Sequence, residues 1–183
     1  GDFVYGYKTS DTLPIDEIAQ EVAKMKSKYG IYAVLGNHDW MQCGRTIEKT
    51  LEKHGINVLG NENVIVDLGG KKLHLAGVED ITTRNIDLVK ALNNVTSPSI
   101  LLTHSPDVFP FITKPENKKL TDVVDLTLAG HTHGGQVVAP FFGPLIVPSD
   151  YGRKYASGFI KENGKNMIVT KGIGTSILPV RFN

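Results

Sequence analysis

A single cysteine, Cys43, occurs in the 183 residues, so no disulfide can close within the chain. That fits a reducing compartment without requiring one, and Cys43 reads as a buried or half-buried bystander, not a nucleophile. No apolar run is long enough to cross a bilayer, and the opening Gly1-Asp2-Phe3-Val4 carries no signal-peptide pattern. An excess of charge is missing as well: 20 Lys and Arg face 19 Asp and Glu, for a formal net charge of +1. This offers no broad field for nucleic acid or for a strongly anionic surface. The stretch "KPENKK" at 114–119 is the nearest thing to a charge block, and it reads as a solvated loop. With no repeat, low-complexity tract or linker in the sequence, one mixed α and β domain over residues 1–183 is expected.

Within that domain, Ile15, Ile18, Val22, Met25 and Tyr29 recur at three- and four-residue steps, which predicts an amphipathic helix over 15–29 between Pro14 and Gly30. A second helix is predicted over 45–54 and a shorter one around 85–93. Apolar runs at 31–35, 56–59, 99–104 and 123–131 predict buried strands, three of which run straight into polar loops. Gly69-Gly70 between two β-rich runs predicts a hairpin over 63–78, and Asn163-Gly164 predicts another over 155–172.

Four of the six histidines fall in three loops that follow strands: "VLGNHDW" at 34–40, "LLTHSPD" at 101–107 and "LAGHTHGGQ" at 128–136. In open α/β sheets, ligands bind at the carboxyl ends of the strands. One histidine in such a place is ordinarily structural; four of them beside Asp and Asn form a donor set suited to a borderline divalent cation. If residues 131–133 are extended, His131 and His133 point in opposite directions and serve two different ions. The remaining pair reads as structural, His54 at the surface near a helix end and His74 on the polar face of the first hairpin.

The order "GD" (1–2), "GNHD" (36–39), "TH" (103–104) and "GHTH" (130–133) resembles the motif series of the calcineurin-like metallophosphoesterases. "ILLTHSPD", "LAGHTHGGQ" and "GIGTSILPVRF" resemble a bacterial branch of small single-domain phosphoesterases. The resemblance implies an α/β (α+β) fold, a four-layer sandwich of two mixed β-sheets flanked by helices. It also implies two divalent metal ions, Mn, Fe or Zn, at the strand ends. Carried over residue by residue, Asp2 would bridge both ions. Asn37, His104 and His131 would complete one shell, and His133 would serve the other. His38 would face the substrate phosphate, with Asp39 holding it oriented and basic. The implied reaction is in-line attack on a phosphomonoester or phosphodiester by a hydroxide bridging the two ions. Lipid precursors and sugar-nucleotide phosphoesters are among the substrates the resemblance suggests; nucleic acid is not expected.

Two departures from the family pattern stand out. The D-x-H motif expected upstream is not in this sequence, so the first strand is expected to be lacking, with one metal site well formed and the other left with Asp2 and His133. Either the chain is an N-terminally incomplete piece of a longer protein, or it is a reduced homologue without one ion. A missing N-terminal segment would also be the route to any membrane association or export; a cytoplasmic location is equally compatible, and the oligomeric state is open. Tyr5 stands where this branch often has an acidic residue. An alternative to hydrolysis is a metal-binding or interaction module on the same scaffold. Smaller expectations are that Gln136 lines the pocket or serves an ordinary loop, and that Trp40 and Met41 pack or wall a substrate tail. Arg153 and Lys154 lie in a solvated turn or meet a phosphate or head group, and "GIGTS" at 172–176 is not a P-loop.

Overall fold

A computed structural model describes residues 1–6, 12–176 and 179–182. Its α-helices are α1 (Ile15–Ala23), α2 (Asn37–Gln42), α3 (Gly44–Lys53), α4 (Leu88–Ala91), α5 (Phe109–Thr113) and α6 (Lys118–Thr121). The strands are β1 (Ile31–Ala33), β2 (Ile56–Val58), β3 (Glu62–Asp67), β4 (Lys72–Gly77), β5 (Ser99–Leu102), β6 (Leu126–Ala129), β7 (Val138–Ala139), β8 (Gly143–Pro144), β9 (Gly158–Glu162) and β10 (Lys165–Val169).

Six strands form a mixed sheet in the order β3-β4-β5-β6-β10-β9. Its four inner strands run parallel, and each edge is closed by an antiparallel hairpin partner. Both hairpins sit where Gly69-Gly70 and Asn163-Gly164 predict them, because those residues take the left-handed backbone that tight turns need (Asn163 has φ 48°). A smaller parallel pair, β1 with β2, carries the other predicted strands. The architecture is the expected mixed α/β one, with helices flanking the sheet.

Three apolar clusters hold these parts together. The largest lies under one face of the six-stranded sheet and joins Leu101, Ala129, Met167 and Val169 to Phe109, Ile112 and Tyr155. A second unites Ala33, Ile56 and Val58 of the parallel pair with Ala19 of α1, Ile47 and Leu51 of α3, and Val4 near the start of the chain. Between the two sheets, Leu59 packs with Val66 and Leu75, and Tyr32 and Leu102 lie against them.

α1 stops at Ala23 and not near Tyr29. Its inner face is covered through Val22, whereas Met25 and Tyr29 are exposed, so nothing rewards another turn. The helix over 85–93 shrinks to the four residues of α4, capped by the Asp87 side chain accepting from the Lys90 N–H. His54 closes α3 and meets Asp16 of α1 at 2.8 Å, a structural role as expected. His74 departs from expectation: it is buried, because β4 lies inside the sheet between β3 and β5, and Nε2 pairs with the Thr96 hydroxyl at 3.0 Å. Cys43 also departs, being exposed at the junction of α2 and α3. Among the described residues, no helix is long and apolar enough to cross a membrane.

Candidate metal centre

Three of the four ligand candidates follow strands. His104 lies two residues beyond β5, and His131 two beyond β6. Asn37 opens α2, which follows β1 by way of Gly36. Asp2 comes from the opening segment, anchored through Val4 in the second cluster. Two candidates therefore ride on the six-stranded sheet and two on the smaller pair.

These four side chains meet at His104. Its Nε2 lies 3.0 Å from Nδ1 of His131, 3.1 Å from Oδ2 of Asp2 and 3.2 Å from Oδ1 of Asn37. An imidazole nitrogen carries at most one proton, and the two oxygens carry none. No tautomer can turn all three contacts into hydrogen bonds, so lone pairs face one another in a largely buried space. A cation resolves the conflict: donors bound about 2.1 Å from one ion at right angles lie about 3 Å apart. Asp2, His104 and His131 each offer an atom within 4.8 Å of the others, as a metal shell requires. The donor set therefore fits a divalent ion.

The electrostatics favour the ligand forms. Burial alone would raise the Asp2 carboxyl, but hydrogen bonding from His104 and the His38 N–H outweighs it and holds the group at about 2. Burial, helped by neighbouring His104, pushes His131 down to about 4, which keeps the ring neutral and able to bind metal. His133 is lowered too, chiefly by burial.

His133 stands apart from the three-residue cluster, though it lines the same cavity of about 540 Å³ as Asp2, His38, His104 and His131. Its Nδ1 is buried without a hydrogen-bond partner, an orphan that suits a ligand role. The two histidines are not separated by an extended backbone, contrary to the expectation. His131 and His133 both have positive φ, 68° and 52°, with right-handed Thr132 between them. Thr132 is fully buried and its hydroxyl donates to the Ala156 carbonyl at 2.7 Å, which ties this turn to the segment just before β9. Asp2 also has positive φ, 56°. Such conformations cost about 1–3 kcal/mol each and persist only where the surroundings enforce them.

Asp39 works differently from the orienting partner of His38 that its position suggested. It is fully buried, and both carboxylate oxygens accept backbone N–H groups. Oδ2 takes those of Asp2 and Gly36 at 2.8 Å each, and Oδ1 takes that of Val4 at 3.1 Å. Its place in the first turn of α2 brings it back over Gly36 and the opening segment, so it clamps Asp2 to the Asn37 loop. Burial pushes this carboxyl up, against the pull of those donors. Gly36 is needed for the close approach: a Cβ there would collide with Oδ1 of Asp2 and stand 2.7 Å from Cε1 of His104.

His38 is half-buried at the cavity wall. Its backbone N–H donates to Oδ1 of Asp2 at 2.9 Å, its Nδ1 lies 3.3 Å from the Gly6 carbonyl, and its ring stacks obliquely with Tyr5 at 5.6 Å. A carbonyl only accepts, so this contact places a proton on Nδ1.

One neighbour escaped sequence reasoning. Asp80, fully buried three residues beyond β4, accepts at Oδ2 from the N–H and hydroxyl groups of both Thr82 and Thr83, and its charge favours the protonated form of His131. Had the strand-end rule that singled out His104 and His131 been applied to "LAGVED", it would have found this residue. Gln136 ties the loop to Ser176, donating to its carbonyl and accepting from its N–H. Trp40 packs on the second cluster between Arg84 (4.6 Å) and Arg45 (5.3 Å), while Met41 is exposed. Residues 172–176 line the cavity, Arg153 donates to the Phe142 carbonyl and Lys154 pairs with Glu162.

The family model described as calcineurin-like phosphoesterase matches residues 1–135. A metallophosphoesterase of Bacillus subtilis, YkuE, is 35% identical over 164 residues, covering 87% of this chain and 54% of that protein. A metallophosphoesterase of Aquifex aeolicus is 34% identical over 180 residues, 92% of this chain and 62% of its own length. The phosphodiesterase YaeI of Escherichia coli is 28% identical over 155 residues, 83% of this chain and 54% of that protein. The chain thus spans little more than half the length of these curated relatives.

Proposed function

The chain belongs to the calcineurin-like phosphoesterase family, and from that membership we propose that it hydrolyses phosphoester bonds with divalent metal ions held at the convergence of Asp2, Asn37, His104 and His131. One observation carries the proposal: the single nitrogen Nε2 of His104 faces three donor atoms at 3.0–3.2 Å that protons cannot satisfy. A divalent ion bound there supplies Lewis-acid charge to a phosphoryl oxygen and lowers the pKa of bound water enough to make a nucleophile at neutral pH.

The chain's own residues do the rest. Asp2, held ionised, would bring negative charge to the ion, and Asp2 with His133 would be the residues to hold a second one. Asn37 donates through an amide oxygen and adds no charge, so the substrate phosphate meets a net positive centre. His38, whose Nδ1 meets the Gly6 carbonyl at the cavity wall, would serve as the acid toward the departing oxygen. Asp39 holds Asp2 and the Asn37 loop in register. Phosphodiesters and phosphomonoesters of small molecules, including lipid precursors and sugar nucleotides, are the substrate class, and Mn, Fe or Zn the cofactor.

The test is turnover of p-nitrophenyl phosphate and bis(p-nitrophenyl) phosphate with added Mn, Fe(II) or Zn, for the wild type and His38→Ala. The wild type is expected to hydrolyse at least one ester. The variant should lose about 10²–10⁴-fold in kcat with unchanged metal content. Equal inertness of both proteins, each carrying metal, would replace the hydrolase by a metal-binding module.

A further inference from the structure

A strongly exposed apolar hairpin follows the candidate centre in the chain. β7 and β8 form a short hairpin whose tip carries Phe141 and Phe142, with Leu145 and Ile146 just beyond it. Phe141 is 106% exposed, Ile146 78% and Phe142 71%. Such exposure marks side chains on a protruding tip. Phe182 extends the patch: its carbonyl accepts the Val138 N–H at 2.6 Å, its N–H donates to the Gln136 carbonyl at 2.9 Å, and it shares an apolar hollow with Val138, Pro140 and Phe141. Val180, two residues away, is exposed as well.

The charge near this patch is mainly positive, with exposed Asp150 as the acid that follows the hairpin segment. Residues 134–149 contain no charged side chain, and residues 170–182 contain Lys171 and Arg181 but no acid. Arg153 reaches the tip itself, donating to the Phe142 carbonyl, and a Cβ on Gly143 would lie 3.6 Å from its guanidinium. Lys171 lies against Gly134 at the hairpin's base. The net charge of +1 averages over this polarity, which is why composition alone argues against an anionic surface.

We propose that the Phe141–Phe142 hairpin docks the protein on an anionic lipid surface, inserting its aromatic tip among the acyl chains while Arg153 and Lys171 meet the head groups. The shape selects this occupant. A protein partner gains affinity where apolar side chains enter a fitted pocket, whereas an exposed aromatic tip with Arg153 on it and Lys171 at its base suits a soft, negatively charged interface. The hairpin begins five residues after His133, and Arg181 donates to the His133 carbonyl at 3.0 Å, so docking would bring the cavity mouth close to the lipid plane. Docking makes no use of the hydrolase reading and can be tested without turnover.

The experiment is co-sedimentation of the chain with vesicles of phosphatidylcholine alone and with about 30 mol% phosphatidylglycerol, an anionic lipid whose surface potential attracts Lys and Arg. Binding is expected to the anionic vesicles and to weaken with salt. The double variant Phe141→Ser/Phe142→Ser should bind at least about tenfold more weakly, since each phenyl ring leaves water on docking. A separate Phe141→Trp protein should show a blue-shifted, lipid-quenched emission with anionic vesicles. Its emission reports the tip directly, whatever the double variant does to the fold. The proposal is overturned if the wild type stays in the supernatant with both vesicle types, or if the double variant binds as tightly. A lipid-free dimer that Phe141→Ser/Phe142→Ser converts to monomer would assign the tip to a second copy and overturn it too.

Discussion

Removing the Asp39 carboxylate is the sharpest perturbation of the centre that leaves every metal-ligand candidate in place. In Asp39→Ala, the N–H groups of Asp2, Gly36 and Val4 lose their acceptor in a region where Asp39 is fully buried. Each orphaned donor costs about 1–3 kcal/mol, which sums to about 3–9. Part of this is offset, because the carboxylate no longer has to be buried, and burial is the dominant influence on its pKa. A net loss near 3 kcal/mol is expected, a sizeable share of the roughly 5–15 kcal/mol that holds a domain folded. The Asn variant should lie between, since its amide oxygen can still serve two of the three donors while its NH₂ faces the third. Since the clamp fixes Asp2 relative to Asn37, metal affinity should fall about 10–100-fold, as for other groups that orient ligands. Urea denaturation of the metal-free protein gives the first number and calorimetric titration with Mn the second. An Asp39→Ala protein with wild-type stability and wild-type metal affinity would refute the clamp.

Other outcomes follow from the same geometry. His131 has an ordinary value of 6.5 and is held at about 4 in the fold, so between those values the unfolded chain takes up a proton that the folded one refuses. Metal-free stability should therefore fall as pH drops through that window, by up to about 1.4 kcal/mol per unit, and Asp2, depressed from 3.8 to about 2, continues the loss below it; an unchanged urea midpoint between pH 7 and 4 would count against the buried neutral ring. Metal at 100 times its Kd should raise stability by about 2.7 kcal/mol, and a His104→Ala protein showing the same thermal shift would remove His104 from the shell. Gly36→Ala drives a methyl into Oδ1 of Asp2, so metal affinity should drop at least about tenfold while circular dichroism stays that of the wild type.

The sequence is most legible where local chemistry decides the outcome. Gly69-Gly70 and Asn163-Gly164 need left-handed backbone, and both hairpins form around them. Donors that follow strands, such as His104 and His131, are visible because an apolar run ends on a polar side chain. Outcomes set by distant partners are harder to read. Met25 and Tyr29 continue the periodicity of α1 but meet no core, and His74 looks like a polar-face residue until β5 covers its strand. α2 begins inside the "GNHD" motif itself, where the chemistry of the four letters hides the turn they make. Asp39 shows the same limit: adjacency to His38 suggested a partnership, whereas the fold spends its oxygens on an amide 37 residues away.

The split origin of the four donors makes the centre a gauge between two halves of the molecule. Asp2 and Asn37 move with the small parallel pair and its helices; His104 and His131 move with the large sheet. Any bound cation must then act as a rivet across that seam, and linkage makes the effect mutual. A substitution deep in either half, at Ile47 or at Met167, needs no contact with the ligands to be felt there. If it tilts one half against the other by a fraction of an ångström, the binding constant for the ion will register it. Chelation, in turn, should loosen the packing of Leu59 against Val66 and Leu75 before it disturbs either core alone.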